Sequence, residues 1–221
     1  MLYERKTAWG FLFRLYHWSF ALSILALAVT GFYIHDPWIS TANEGSGSFP
    51  MADWRYCHFI AGYVFTAAVL VRLYLLVFGN REESFLGFAP VTGRNIKNVF
   101  TTLAYYLYLT DRGGHRLGHN ALAGTFYLFT LLFAVLQMIS GFSLLYPESG
   151  FWQTVAGKIF GVQQEIRFYH FVFMWYFMIF ALVHVYIVVW NDVWSPEGLI
   201  SSIFTGDKFL PKGQEGAGKR A

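Results

Sequence analysis

The sequence predicts an all-α integral membrane protein, a four-helix bundle that crosses the bilayer up-down-up-down. Three observations carry this expectation. Charged residues are only 13% of the 221, while 56% are hydrophobic and the mean hydropathy is +0.41; a soluble domain has about 25% charged residues. Four apolar stretches reach the roughly 20 residues that a helix needs to span the hydrocarbon. Lysine and arginine are divided unevenly, thirteen of the 16 falling on one side of those stretches.

The first stretch runs from about Phe13 to Tyr33. It is too long for a cleaved signal peptide, and no small-residue cleavage site follows it. The second runs from about Tyr56 to Phe78, the third from about Ala121 to Tyr146, and the fourth from about Phe168 to Trp190. The positive-inside rule then places both termini and the 79–120 segment in the cytoplasm, with 34–55 and 147–167 facing outward. A short amphipathic helix is expected from Asn95 to Leu109. Residues 1–206 make up the membrane domain, and 207–221, polar and rich in glycine and lysine, read as a mobile cytoplasmic tail. No internal repeat is evident.

Composition also excludes several classes of function. The net charge of +3 is spread over short loops without a basic stripe, so nucleic acid is not expected as a partner. Cys57 is the only cysteine. It can form no internal disulfide, no C-x-x-C-H motif is present for covalent haem, and one thiolate cannot hold an iron–sulfur cluster. Cys57 reads as a small core residue.

The chemistry rests with the histidines. His184 follows His170 by fourteen residues within the fourth stretch. At 3.6 residues per turn both rings share one helical face, about 21 Å apart along the axis. Ionisable groups at membrane depth are costly and need a partner or a function. Two imidazoles on one stripe, one towards each side of the bilayer, suit two stacked haems. His17 begins the first stretch and His58 the second. Depth pairs His17 with His184 on the cytoplasmic side and His58 with His170 on the outward side. The expectation is two non-covalent b-type haems, each with two histidine axial ligands. The rival is a metal transporter or a purely structural anchor, but a transporter would want carboxylates at the same depth, and the apolar stretches are nearly free of them.

Arginines accompany the histidines. Arg14, Arg55 and Arg167 each precede a proposed ligand by three residues, in R-L-Y-H, R-Y-C-H and R-F-Y-H, so each lies on its ligand's face. Arg72 follows His58 by fourteen. A guanidinium fork in these places can clamp a haem propionate; the alternative is interfacial snorkelling. Gly31, Gly62 and Gly141 let a macrocycle or a neighbouring helix approach, and helix packing alone would also explain them. The aromatic residues, 21% of the chain, read as interfacial belt and core, with some facing the haems. His115 and His119 lie in D-R-G-G-H-R-L-G-H-N before the third stretch, where an imidazole can exchange protons near neutral pH. His35 reads as an outward surface residue.

These stretches together resemble the cytochrome b subunit of membrane-bound nickel–iron hydrogenases. The likeness is carried by R-L-Y-H-W (14–18), V-T-G-F-Y-I (29–34), R-Y-C-H-F-I-A-G (55–62), V-R-L-Y-L-L-V-F-G-N-R (71–81), G-H-N-A-L-A (118–123), I-S-G-F (139–142) and A-L-V-H-V-Y (181–186). The gamma subunit of respiratory formate dehydrogenase is similar in its four-helix plan and its spaced histidine pair. The resemblance implies a multi-pass subunit in the bacterial cytoplasmic (inner) membrane that performs no hydrogen chemistry itself. It would take electrons from a periplasmic hydrogenase, with its large nickel–iron and small iron–sulfur subunits, and pass them to quinone near the cytoplasmic side. It implies His58 and His170 as ligands of the outer haem, His17 and His184 of the inner. His119 and Asn120 would lie by the quinone. Ala121 departs from the family, which often has proline there. The runner-up keeps the cytochrome and changes the partner to a formate or thiosulfate dehydrogenase.

Overall fold

The computed structural model describes residues 3–38, 49–85, 99–104, 109, 121–194 and 198–211. Along the chain these form β1 (Tyr3–Thr7), α1 (Phe11–His35), α2 (Pro50–Phe78), α3 (Ala121–Leu145), α4 (Gly150–Phe160), α5 (Gln163–Trp194), α6 (Leu199–Thr205) and β2 (Asp207–Pro211). A further helical stretch occupies 99–104, inside the amphipathic helix expected at 95–109, whose residues 95–98 and 105–108 lie outside the described ones. α1, α2, α3 and α5 are each long and apolar enough to cross a membrane.

Two of these helices start before their apolar stretch does. α2 begins at Pro50, whose fixed φ and missing N–H suit the first helical position, and carries Asp53 and Arg55 in its extra polar turns. α5 has 32 residues, about 48 Å at 1.5 Å each, which exceeds the roughly 30 Å of hydrocarbon. α4 falls in a segment read from the sequence as a plain loop. Ser149 caps it by accepting from the Trp152 N–H, and it closes at Gly161, where φ is +92°. A side chain at Gly161 would collide with the Glu165 carboxylate.

The chain divides into two compact units. The first comprises Met1–Leu15, Val71–Leu132 and Val183–Ala221. In it β1 and β2 pair antiparallel from Tyr3 with Pro211 to Thr7 with Asp207, so the segment read as a tail opens with a strand; 212–221 lie outside the described residues. Asp207 accepts from the Thr7 hydroxyl at 2.7 Å and from the Arg5 Nε at 2.8 Å. Those bonds hold its carboxyl below the usual aspartate range. Trp9 donates to the Ser202 hydroxyl, and the ammonium of Lys208, itself buried, lies 5.8 Å from the Trp9 ring centre. The buried Glu83 carboxylate accepts from the Gly10 N–H at 2.6 Å, at the start of α1, where the helix dipole favours an anion.

The second unit comprises Tyr16–Leu70 and Phe133–Leu182. Aromatic rings fill it. Phe20 stacks on Phe65, and Phe177 meets both edge-on; Tyr33 stacks on Trp54. Phe133 packs on Phe173 and Tyr176. α4 contributes Ala156 and Phe160 to a cluster with Ile166 and Phe173, which explains why this helix is held against α3 and α5. Cys57 corrects the sequence reading: it is exposed on α2, where a small thiol can face lipid as readily as core.

Candidate functional site

Of the four candidate ligands, His17, His58 and His170 lie in the second unit, and His58 and His170 are seated in the same way. The α1 residue Thr30 places its Oγ1 2.8 Å from His58 Nδ1, and Gly31 lets the ring edge in: a Cβ there would lie 3.5 Å from Cε1. On α3, Ser140 places its Oγ 2.8 Å from His170 Nδ1, and a Cβ on Gly141 would lie 3.3 Å from Cε1. Both imidazoles are thus gripped at Nδ1. At His170 the Gln137 amide nitrogen stands 3.2 Å from Nε2, while the other amide atom, Oε1, is buried and makes no hydrogen bond. Gly141 therefore serves close approach of a histidine ring, whereas a Cβ on Gly31 would make ordinary contact with one. Gly62 meets nothing within 4 Å.

The other two candidates are His17 and His184. His17 belongs to the second unit, with its ring edge-on to Trp18. His184 belongs to the first unit, where the Tyr127 hydroxyl lies 3.5 Å from its Nδ1 and the two rings meet edge-on. His170 and His184 share the continuous helix α5. His35 ends α1, exposed, and stacks on Phe171.

The arginines differ among themselves. Arg55 and Arg167 are exposed, three residues before their histidines and able to swing. Arg55 joins Phe49, Met51, Ala52, Tyr56 and Phe59 around a shallow hollow at the start of α2. Arg14 donates to the Phe204 carbonyl and lies over the Phe11 ring, and its Nε is buried without a hydrogen bond. Arg72 is not a snorkelling residue. It is buried at 5% exposure, donates to the Glu83 carbonyl at 2.8 Å and lies over Phe13. His115, His119 and Asn120 lie outside the described residues.

This donor set fits haem. With Nδ1 as the donor, each anchored imidazole would offer its Nε2 lone pair, the form that binds iron, and exposed arginines stand one turn away to meet carboxylates. Among the described residues no three His, Cys, Asp or Glu side chains gather as they would around a bare metal ion. Thr30 and Ser140 escape a reading of the sequence for ligands, because hydroxyls within a helix look like ordinary small polar positions. The signal that finds them is their place directly before a glycine, in T-G-F and S-G-F.

Comparison with known proteins agrees with this site. A Probable Ni/Fe-hydrogenase B-type cytochrome subunit from Cupriavidus necator is 34% identical over 203 residues, covering 87% of this chain and 82% of the relative. The protein of the same name from Rhizobium leguminosarum bv. viciae is 32% identical, covering 89% and 86%. The Probable Ni/Fe-hydrogenase 1 B-type cytochrome subunit of Escherichia coli K12 is 31% identical, covering 87% and 86%. The profile described as Prokaryotic cytochrome b561 matches residues 8–206, which include all four membrane-capable helices, and the chain belongs to that family of membrane b-type cytochromes.

Proposed function

We propose that this chain is the membrane cytochrome b subunit of a nickel–iron hydrogenase. It would accept electrons from the iron–sulfur subunit outside the bacterial cytoplasmic membrane and deliver them to quinone near the cytoplasmic side. The observation that carries the reading is the matched seating of His58 and His170, joined to relatives that bear hydrogenase-subunit names.

Bound haem supplies reversible one-electron transfer. The chain's own residues do the rest. His58 and His170 would hold the outer haem through Nε2, with Arg55 and Arg167 meeting its propionates. His17 and His184, paired by their depth in the sequence, would hold the inner one, with Arg14 and Arg72 as propionate partners. Gln137 occupies the His170 lone pair that iron needs, so its amide must turn aside in the loaded protein. His119 would give a proton to a quinone carbonyl, and Asn120 would donate a hydrogen bond beside it.

The crossing order and sidedness have support of their own. The first unit collects the start of α1, the end of α2, the start of α3 and the end of α5, as alternating crossings require. β1 pairs with β2, so the two ends of the chain leave the helices together. The charge asymmetry assigns that side to the cytoplasm.

Co-purification with mass spectrometry tests the assignment. A nickel–iron hydrogenase large and small subunit should accompany the tagged chain. Recovery of a formate or thiosulfate dehydrogenase instead would replace the partner and keep the cytochrome.

A further inference from the structure

The two imidazole seats of the second unit are built to one plan. α1 carries Thr30-Gly31-Phe32 and α3 carries Ser140-Gly141-Phe142; each facing helix carries its histidine three residues after an arginine. The two seats thus repeat a short local pattern.

Within each seat the proton can be located. A hydroxyl has one donor and two acceptor lone pairs. Thr30 spends its proton on its own helix, donating to the Ala26 carbonyl at 2.7 Å, and Ser140 donates to the Gln137 carbonyl at 3.0 Å. Each oxygen must then accept from the imidazole, so Nδ1 carries the ring proton. At His170 the Gln137 amide donates to Nε2, the nitrogen left bare. These partners favour the same tautomer in both rings, with the proton on Nδ1 and the lone pair on Nε2, which at His170 accepts from Gln137.

We propose that Thr30 and Ser140 are positioning residues that present His58 and His170 as Nε2 ligands and hold down the reduction potential of the outer haem; this rests on the haem reading above. An Nδ1–H that donates to oxygen gives the ring part of the electron density of an imidazolate. The stronger donor favours ferric over ferrous iron, one of the levers by which a protein tunes haem. The glycines belong to the same device. At Ser140 the hydroxyl reaches Nδ1 at 2.8 Å beside Gly141, where a Cβ would press to 3.3 Å from Cε1; at Thr30 the same approach leaves 3.5 Å, ordinary contact for a Cβ on Gly31.

The test is a potentiometric titration of the full chain in its membrane, following low-spin haem absorbance, in Thr30→Val, Ser140→Ala, the double variant and Thr30→Ser. The midpoint of one haem should rise in each hydroxyl-free variant and rise further in the double, while the other haem stays put. Thr30→Ser should restore the wild-type midpoint. Full haem loading with unmoved midpoints overturns the proposal, and so does a Thr30→Ser protein that behaves like Thr30→Val. If Thr30→Val loses haem outright, Thr30→Ser decides: wild-type loading and midpoint support a role for the hydroxyl, loss of haem there refutes it. Retention of two low-spin haems in His58→Ala or in His170→Ala breaks the haem assignment instead.

Discussion

Room for a side chain differs slightly between the two glycines that face His58 and His170, and the difference has a measurable outcome. A Cβ on Gly31 meets His58 at an ordinary contact distance of 3.5 Å; on Gly141 it meets His170 at 3.3 Å. Gly141→Ala should force the ring to give, costing about 1 kcal/mol of haem binding, or about fivefold in affinity. Gly31→Ala should bind haem nearly as the wild type does. Haem titration of the two variants by Soret absorbance checks the ranking, and equal affinities would refute it. The histidines themselves are legible in the sequence because their fourteen-residue spacing survives any packing. The anchors are not, because which hydroxyl meets which imidazole depends on how two distant helices are turned against each other. Arg72 shows the same limit: its spacing places it on a face, but its bond to the Glu83 carbonyl depends on a turn eleven residues away.

At the level of elements, the helices are legible and their ends are not. Hydropathy marks what lies in lipid, whereas α2 and α5 continue into polar turns, and α4 is too short to register. The strands are invisible because neither has a pattern of its own; each exists through its partner. Their pairing should be sensitive to acid. Asp207 is held below its ordinary pKa by the Thr7 hydroxyl and the Arg5 guanidinium. Its contribution is complete above the unfolded value of about 3.9 and is lost as pH falls through the lower folded value. Proteolysis near Lys208 by an acid-tolerant protease should rise in that low window, and Asp207→Asn should show the raised rate already at neutral pH. At the start of α1, Glu83→Ala removes the acceptor of the Gly10 N–H and should lower stability by about 1 kcal/mol, read as a drop in the thermal midpoint of the purified complex.

For the whole molecule, the functional reading requires two haems at separate depths. A pyridine haemochrome assay should give two protohaems per chain, six-coordinate and low-spin. His58→Ala should abolish electron entry from the partner enzyme. His184→Ala should leave reduction of an artificial dye by that enzyme intact and abolish quinone reduction. A variant that keeps both haems and normal quinone turnover would refute the ligand assignment. His119→Ala should slow quinone reduction about a hundredfold or more with both haems retained; near-normal turnover would move the quinone site elsewhere. Reporter fusions at the two chain ends should give the same cytoplasmic signal, and a fusion between α1 and α2 the opposite one.

The pairing of β1 with β2 also sets a sequence of events during synthesis. Arg5 and Asp207 are 202 residues apart, so at about 5–20 residues per second the first strand waits roughly 10–40 s for its partner to be made. During that interval its edge is open. It can close only after α5 has been made, so a closed strand pair reports that the whole helical region has been synthesised, and a chain stalled before α5 would keep an adhesive N-terminal edge.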